Sequence, residues 1–184
     1  MKINRISIAI LSTVIIISCR NPNIENKTES EIIETKSEHT ELEQLKKESL
    51  RLRAGGSIKK IELENGKATI EYVKDYKEYK EFNPQSVLSE ADLQNYWNSS
   101  DAIEKALVDG SVRVMKKLDF INQVEIVLPN NGKVYSIDVK KSELEKFVGS
   151  DFSEIKNNWD EKFSNPYVYN DNRRQKFLNK FKKQ

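Results

Sequence analysis

A single cysteine, Cys19, and a single histidine, His39, are all that this 184-residue chain offers of the side chains that most often ligate metals or carry nucleophilic catalysis. With one thiol no internal disulfide forms, so the fold has to stand on its hydrophobic core. His39 falls in a charged linker-like stretch and reads as a solvated residue, which leaves no Cys–His pair and no zinc site built on histidine. The glycines are sparse as well: Gly55-Gly56 lacks the further glycines, the lysine and the following helix that a phosphate cradle needs. No apolar run is long enough for a permanent span, since Ile6 to Ile17 is 12 residues where about twenty are required. An excess of one charge is also missing. The net charge is +2, and Lys2 with Arg5 account for it, leaving a mildly acidic body and a basic end. Nucleic-acid binding draws on clustered phosphate neutralisation, so such a body excludes it as an expected partner. No cofactor and no metal site are expected.

What is present begins with Lys2 and Arg5, the short apolar run, Ser18 and then Cys19. A positive start, a hydrophobic segment and a small residue at the cleavage point form the layout of a secretory signal. The quartet Ile16-Ile17-Ser18-Cys19 resembles the lipobox of bacterial lipoproteins: a branched apolar residue, a tolerant position, a small residue, then cysteine. The resemblance implies cleavage before Cys19, a diacylglycerol on its sulfur and acylation of the new amino terminus, by palmitate for example. Two or more chains anchor stably, whereas one binds marginally. The implied location is the bacterial cell membrane or outer membrane, on the extracytoplasmic side. The alternative is an ordinary signal peptide with a stray cysteine.

The resulting organisation is a signal over 1–18, a lipidated cysteine and polar tether over 19–56, a folded domain over 57–170 and a basic tail over 171–184. The first half of the tether is too poor in apolar residues to offset its ordering entropy and is expected to be disordered. Its second half has Leu42, Leu45, Ser49 and Leu52 at helical spacing, which predicts a short helix from about Glu38 to Arg53, ended by Gly55-Gly56.

Two alternating runs, Ile58 to Leu63 and Lys67 to Val73, flank Asn65-Gly66, the pair that suits a two-residue hairpin turn with positive φ at both central positions. Ser89-Glu90-Ala91-Asp92 reads as a capping box opening a short helix with Leu93, Tyr96 and Trp97 on its apolar face. Ser99 or Ser100 then caps a longer helix striped by Ile103, Leu107, Val114 and Leu118. Gly110 lies on that stripe, where glycine costs about 1 kcal/mol relative to alanine, so it either permits close approach to a strand or marks a kink. A second hairpin follows, from Gln123 to Leu128 and from Lys133 to Val139 around Pro129-Asn130-Asn131-Gly132. Ser142-Glu143-Leu144-Glu145 is expected to open a helix closed by Gly149. Ser150 to Phe163 continues at helical spacing until Asn165-Pro166 breaks it. The end, Asp171 to Gln184, reads as a short basic amphipathic helix or a frayed tail.

Strands segregated into two hairpins, with helices between and after them, predict an α+β fold. It is a small two-layer domain with a mostly antiparallel four-stranded sheet and helices packed on one face. The succession from Ile61 through Asn65-Gly66-Lys67-Ala68-Thr69-Ile70, the helix Ala102 to Leu118, and Val124-Glu125-Ile126-Val127-Leu128 with Gly132 resembles the second half of a GerMN domain, a sporulation and germination family. That resemblance covers Ile58 to Val139 and implies a non-catalytic protein-assembly module of envelope proteins. It transfers no functional residue.

Two groups of side chains are candidates for binding. Tyr76, Tyr79 and Phe82 recur every three residues, so a helical turn aligns them as a sugar-stacking platform or a protein-docking patch; the alternative is that they pack on the sheet edge as satellite core. Arg173, Arg174, Lys176, Lys180, Lys182 and Lys183 read as a solvated terminus, a contact with anionic lipid or a partner contact. The carboxylate pairs Asp75/Glu78 and Glu143/Glu145 have the residue types for acid and base in glycan cleavage, but lysines interleave with them. The functional expectation is a membrane-anchored envelope lipoprotein whose domain binds a protein or cell-wall partner without chemistry. The alternatives are a glycan hydrolase or enzyme accessory working through carboxylates, and a membrane-tethered inhibitor or immunity-type protein.

Overall fold

The computed structural model describes residues 29–183, with side chains from 39 onward. The chain runs α1 (Glu29–Ser49), β1 (Ile58–Glu64), β2 (Lys67–Tyr72), α2 (Tyr76–Phe82), α3 (Glu90–Tyr96), α4 (Ser100–Lys117), β3 (Gln123–Asn130), β4 (Lys133–Lys140), α5 (Lys141–Val148), α6 (Phe152–Asn157), a π-helical segment (Asp160–Val168) and α7 (Asp171–Phe181). It is an α+β fold: one mixed, mostly antiparallel sheet with helices on one face.

The strands lie in the order β1-β2-β3-β4. Both hairpins are antiparallel, and β2 pairs with β3 in parallel at the seam. Their turns share one mechanism. Asn65 and Gly66 have φ of 50° and 76°, and Asn131 and Gly132 have 50° and 73°, the left-handed pair that a tight hairpin turn requires. The second turn is shorter than the sequence predicts, because β3 continues through Pro129, which pairs with Val134 beyond the reach of β2.

Registration lines up Ile61, Ile70, Ile126 and Ile137 across all four strands, with Leu63, Ala68, Val124 and Val139 in the neighbouring row. Helix α4 crosses this face, its Ser99 cap accepting from the Ala102 N–H. A Cβ placed on Gly110 would stand 3.0 Å from Ile126 Cδ1. Close approach to a strand is therefore the role of this glycine. The opposite face carries charge: Lys67 bridges Glu125 at 2.6 Å and Asp138 at 3.7 Å, and Lys183 reaches the same Glu125 at 2.6 Å.

Four features depart from the sequence-based expectation. Helix α1 begins at Glu29 and ends at Ser49, so residues 29–37, expected as disordered tether, are helical. Glutamate and lysine are good helix formers, and the buried Leu45 and Ser49 anchor the turn from which the helix propagates. Helix α5 starts at Lys141 without a side-chain cap, one residue before Ser142. The Ser150–Phe163 run is not one helix: α6 ends at Asn157, and the chain rewinds as a π-helix that carries Pro166 inside it. Pro166 does not break this segment because the wider winding bonds across five residues, as from Tyr169 N–H to Ser164 O at 3.2 Å, and spreads the ladder that proline would block in an α-helix. Finally, 171–181 takes the amphipathic-helix alternative as α7, and what departs is that its apolar side packs into the core. Phe177 is fully buried and packs 5.6 Å from Phe147, 5.8 Å from Phe163 and 4.6 Å from Phe181, ring centre to ring centre. Beyond α7, Lys182 bridges antiparallel to Ile137, and the Lys183 N–H donates to Ser136 O, so the end of the chain covers part of the outer edge of β4.

Candidate functional site

A cleft of about 500 Å³ opens where the parallel strands β2 and β3 end, between the 73–76 segment, α3 and the β3–β4 turn. The carboxyl ends of parallel strands are a recurrent place for ligands, because the chain diverges there into helices and turns. The wall is apolar, made by Val73, Tyr76, Leu93, Trp97, Pro129 and Val134, and the rim is charged in balance by Lys74, Lys133, Asp75 and Glu90.

Local structure sets these side chains. Ser89 accepts from the Asp92 N–H at 3.1 Å and its own N–H donates to Asp92 Oδ2 at 3.2 Å, which starts α3 and aims Leu93 and Trp97 inward. Trp97 is held edge-on by two rings, Tyr72 at 5.7 Å and Tyr96 at 4.7 Å, the arrangement that ring quadrupoles favour. Burial pushes the Tyr72 phenol far above its ordinary value, and its hydroxyl donates to Arg53 O at 2.9 Å. Tyr76 donates to Leu88 O at 3.0 Å, tying α2 to the loop that leads into α3.

The aromatic triplet does form a helix, but its members face different surroundings. Tyr79 is buried, stacked on Tyr76 at 6.2 Å, with its hydroxyl 2.7 Å from Ser86 Oγ. Phe82 is 54 % exposed and does not line the cleft. Of the three, Tyr76 alone faces it. Val134 and Pro129 escaped the sequence reading, although a signal existed: Val134 precedes Tyr135 in β4 and puts an apolar residue on the phase of the strand that otherwise faces water. Val134 is 67 % exposed at the mouth of the cleft.

The carboxylate pairs are engaged. Asp75 caps α2, accepting from the Glu78 N–H at 2.8 Å. Partial burial would raise Glu78, but the Lys74 N–H and the Lys59 ammonium outweigh it and hold the carboxyl below its ordinary value. Glu143 is lowered by hydrogen bonds from Lys146 and Lys180, and Glu145 accepts from the Phe152 N–H at 2.8 Å at the start of α6. A general acid at neutral pH needs the opposite shift.

The six basic residues of the C-terminus separate into two groups. Arg174 is buried, 3 % exposed, and its guanidinium meets Glu104 at 3.0 Å, Asp171 at 3.0 Å, Asp101, and Val168 O at 2.8 Å. It is thereby withdrawn from any outside partner. Arg173, Lys176, Lys180, Lys182 and Lys183 are exposed. Cys19 and the segment before it lie outside the described residues. Among the described residues no group of three His, Cys, Asp or Glu is placed to hold a metal, and no helix is long and apolar enough to cross a membrane. Compared with known proteins, the chain matches no family model, no curated protein and no solved structure.

Proposed function

We propose that this chain is a lipid-anchored protein of a bacterial envelope, held by Cys19, whose α+β domain binds an envelope protein through the cleft and carries out no chemistry of its own. The observation that carries the reading is the composition of the cleft. It has an apolar wall with a largely exposed anchor point at Val134 and a rim whose charges balance, which suits an apolar side chain of a protein partner framed by polar contacts. The commitment of Asp75 to a helix cap and of Glu78 to ion pairs supports binding over acid–base catalysis. The lipobox resemblance supports the anchor, and the GerMN resemblance supports an assembly role.

The test places a photo-crosslinking residue at Lys133, beside the cleft, and a second at Leu50, exposed on another part of the surface, in cells producing the full chain. The expected result is capture of one defined envelope protein from position 133, lost when Val134→Asp is added. Equal capture from position 50 overturns the cleft as the site. Cleavage of cell-wall glycan by the purified protein, abolished by Glu90→Gln, overturns the non-catalytic reading. The intact mass of the membrane-extracted protein checks the anchor separately, since unmodified Cys19 removes it.

A further inference from the structure

We propose that the solvent face of α7 is a membrane-apposing surface that lies against anionic phospholipid. Arg173, Lys176 and Lys180 are spaced i, i+3, i+7 and line one side of the helix surface left free by the buried Arg174, Phe177 and Phe181. The same side abuts α5, where Lys146 and Lys180 share Glu143 at 3.1 Å and 3.3 Å. Lys182 follows α7 at the β4 edge, where its backbone pairs with Ile137. The remaining outward positions of α7 are neutral apart from Asp171, which faces Arg174. Arg173, Lys176 and Lys182 have no ion-pair partner among the described residues, whereas Lys67 and Lys183 on the open sheet face are both bound to Glu125. Arg173 and Lys176, both unpaired, thus form with Lys180 a cationic row on one ridge, complementary to a plane of phosphate headgroups, whereas other cations without an ion pair among the described residues, such as Lys47, Lys77, Lys117 and Lys133, stand singly on separate elements.

The inference rests on the lipid-anchor reading for its geometry. Nine residues, 20–28, separate Cys19 from α1 and span at most about 30 Å; the 21 residues of α1 add about 30 Å if upright. The domain therefore stays in a thin shell above the bilayer, where even a weak cationic contact is favoured by the high effective concentration. The contact itself acts over a Debye length, about 8 Å at physiological salt, so it selects which side of the domain turns to the lipid.

Two measurements test it. In the first, the lipidated full chain is reconstituted in bilayers of phosphatidylcholine alone or with phosphatidylglycerol, and lysine acetylation is read by mass spectrometry. The expected result is several-fold protection of Lys176 and Lys180 in the anionic bilayer only, lost at high salt, with Lys47 and Lys77 unprotected. Equal reactivity in both bilayers overturns the proposal, as does protection that arises only when envelope proteins are added. The second measurement uses full-length Cys19→Ser and so does not depend on lipidation. Vesicles containing phosphatidylglycerol should bind the Arg173→Glu/Lys176→Glu/Lys180→Glu variant on the order of a hundredfold more weakly at low salt, about fivefold for each cation removed. A control, Lys47→Glu/Lys77→Glu/Lys117→Glu, makes the same change in net charge on other exposed surfaces. Equal weakening by both triples shows a net-charge effect and overturns the proposal. An unmodified Cys19 with a specific effect of the α7 triple defeats the anchor and leaves the surface standing.

Discussion

Arg174 shows how much one side chain can bind together when its charge is taken out of water. Five donors on a rigid plane match three carboxylates and a carbonyl, and they tie α7 to the first turn of α4. Removing one partner of a buried ion pair costs about 3–5 kcal/mol when the other is stranded. Here Asp101 and Asp171 are half to mostly exposed and turn to water, so Arg174→Ala should lower unfolding free energy by about 2–3 kcal/mol, at or just below the lower limit of that range. Arg173→Ala, one residue away on the surface, should change it by less than about 0.5 kcal/mol. Urea unfolding of the two variants measures the difference, and equal effects would mean that Arg174 is solvated. In the sequence these neighbours are indistinguishable, because the carboxylates that set them apart lie 70 and 73 residues upstream.

At the scale of elements, the parts that local chemistry determines were legible and those that distant packing determines were not. Both hairpins were announced by Asn-Gly, and α4 by its stripe and its serine cap, each a relation within a few residues. The burial of α7, the passage of the π-helical segment through Pro166 and the parallel seam between β2 and β3 depend on partners far along the chain. For the candidate site the same split holds: the α3 cap and the Tyr76 helix were readable, but not the meeting of α3 with the β3–β4 turn that makes the cleft. Since Phe177 and Phe181 sit in an aromatic cluster with Phe147, Phe163 and Tyr167, deleting residues 171–184 should do more than remove charge. One Phe→Ala in a core costs about 3–5 kcal/mol, and a domain has about 5–15 kcal/mol in all. The truncated chain is therefore expected to lose its cooperative thermal transition by circular dichroism, while the charge-reversed α7 triple retains it.

For the molecule as a whole, the ion network on the open sheet face predicts acid sensitivity. Burial would raise Glu125, but hydrogen bonds from Lys183 and Lys67 outweigh it and hold the carboxyl below its ordinary value. A carboxylate with a lowered folded-state pKa contributes stability that is present above the unfolded value and lost as pH falls through the folded one. Unfolding free energy should accordingly be level from neutral pH down to about 5 and fall below about 4.5, the ordinary range of a glutamate. In Glu125→Gln this fall should be shallower, with a lower plateau at neutral pH, as urea titrations from pH 3 to 7 will show. A parallel, undiminished fall in the variant would assign the acid sensitivity to other carboxylates, such as Asp101 and Glu78, which are lowered as well.

The position of α7, after every element it packs against, has a consequence in time. Synthesis delivers the amino-terminal elements first, and the helix that completes the aromatic cluster and clasps α4 last. Until Phe177, Phe181 and Arg174 have arrived, Glu104 of α4 lacks its cation and the rings of α5 and the π-helical segment lack their centre. The aromatic cluster therefore closes only after α7 has emerged, and a chain halted before Asp171 leaves Phe147 and Phe163 without the ring that packs between them.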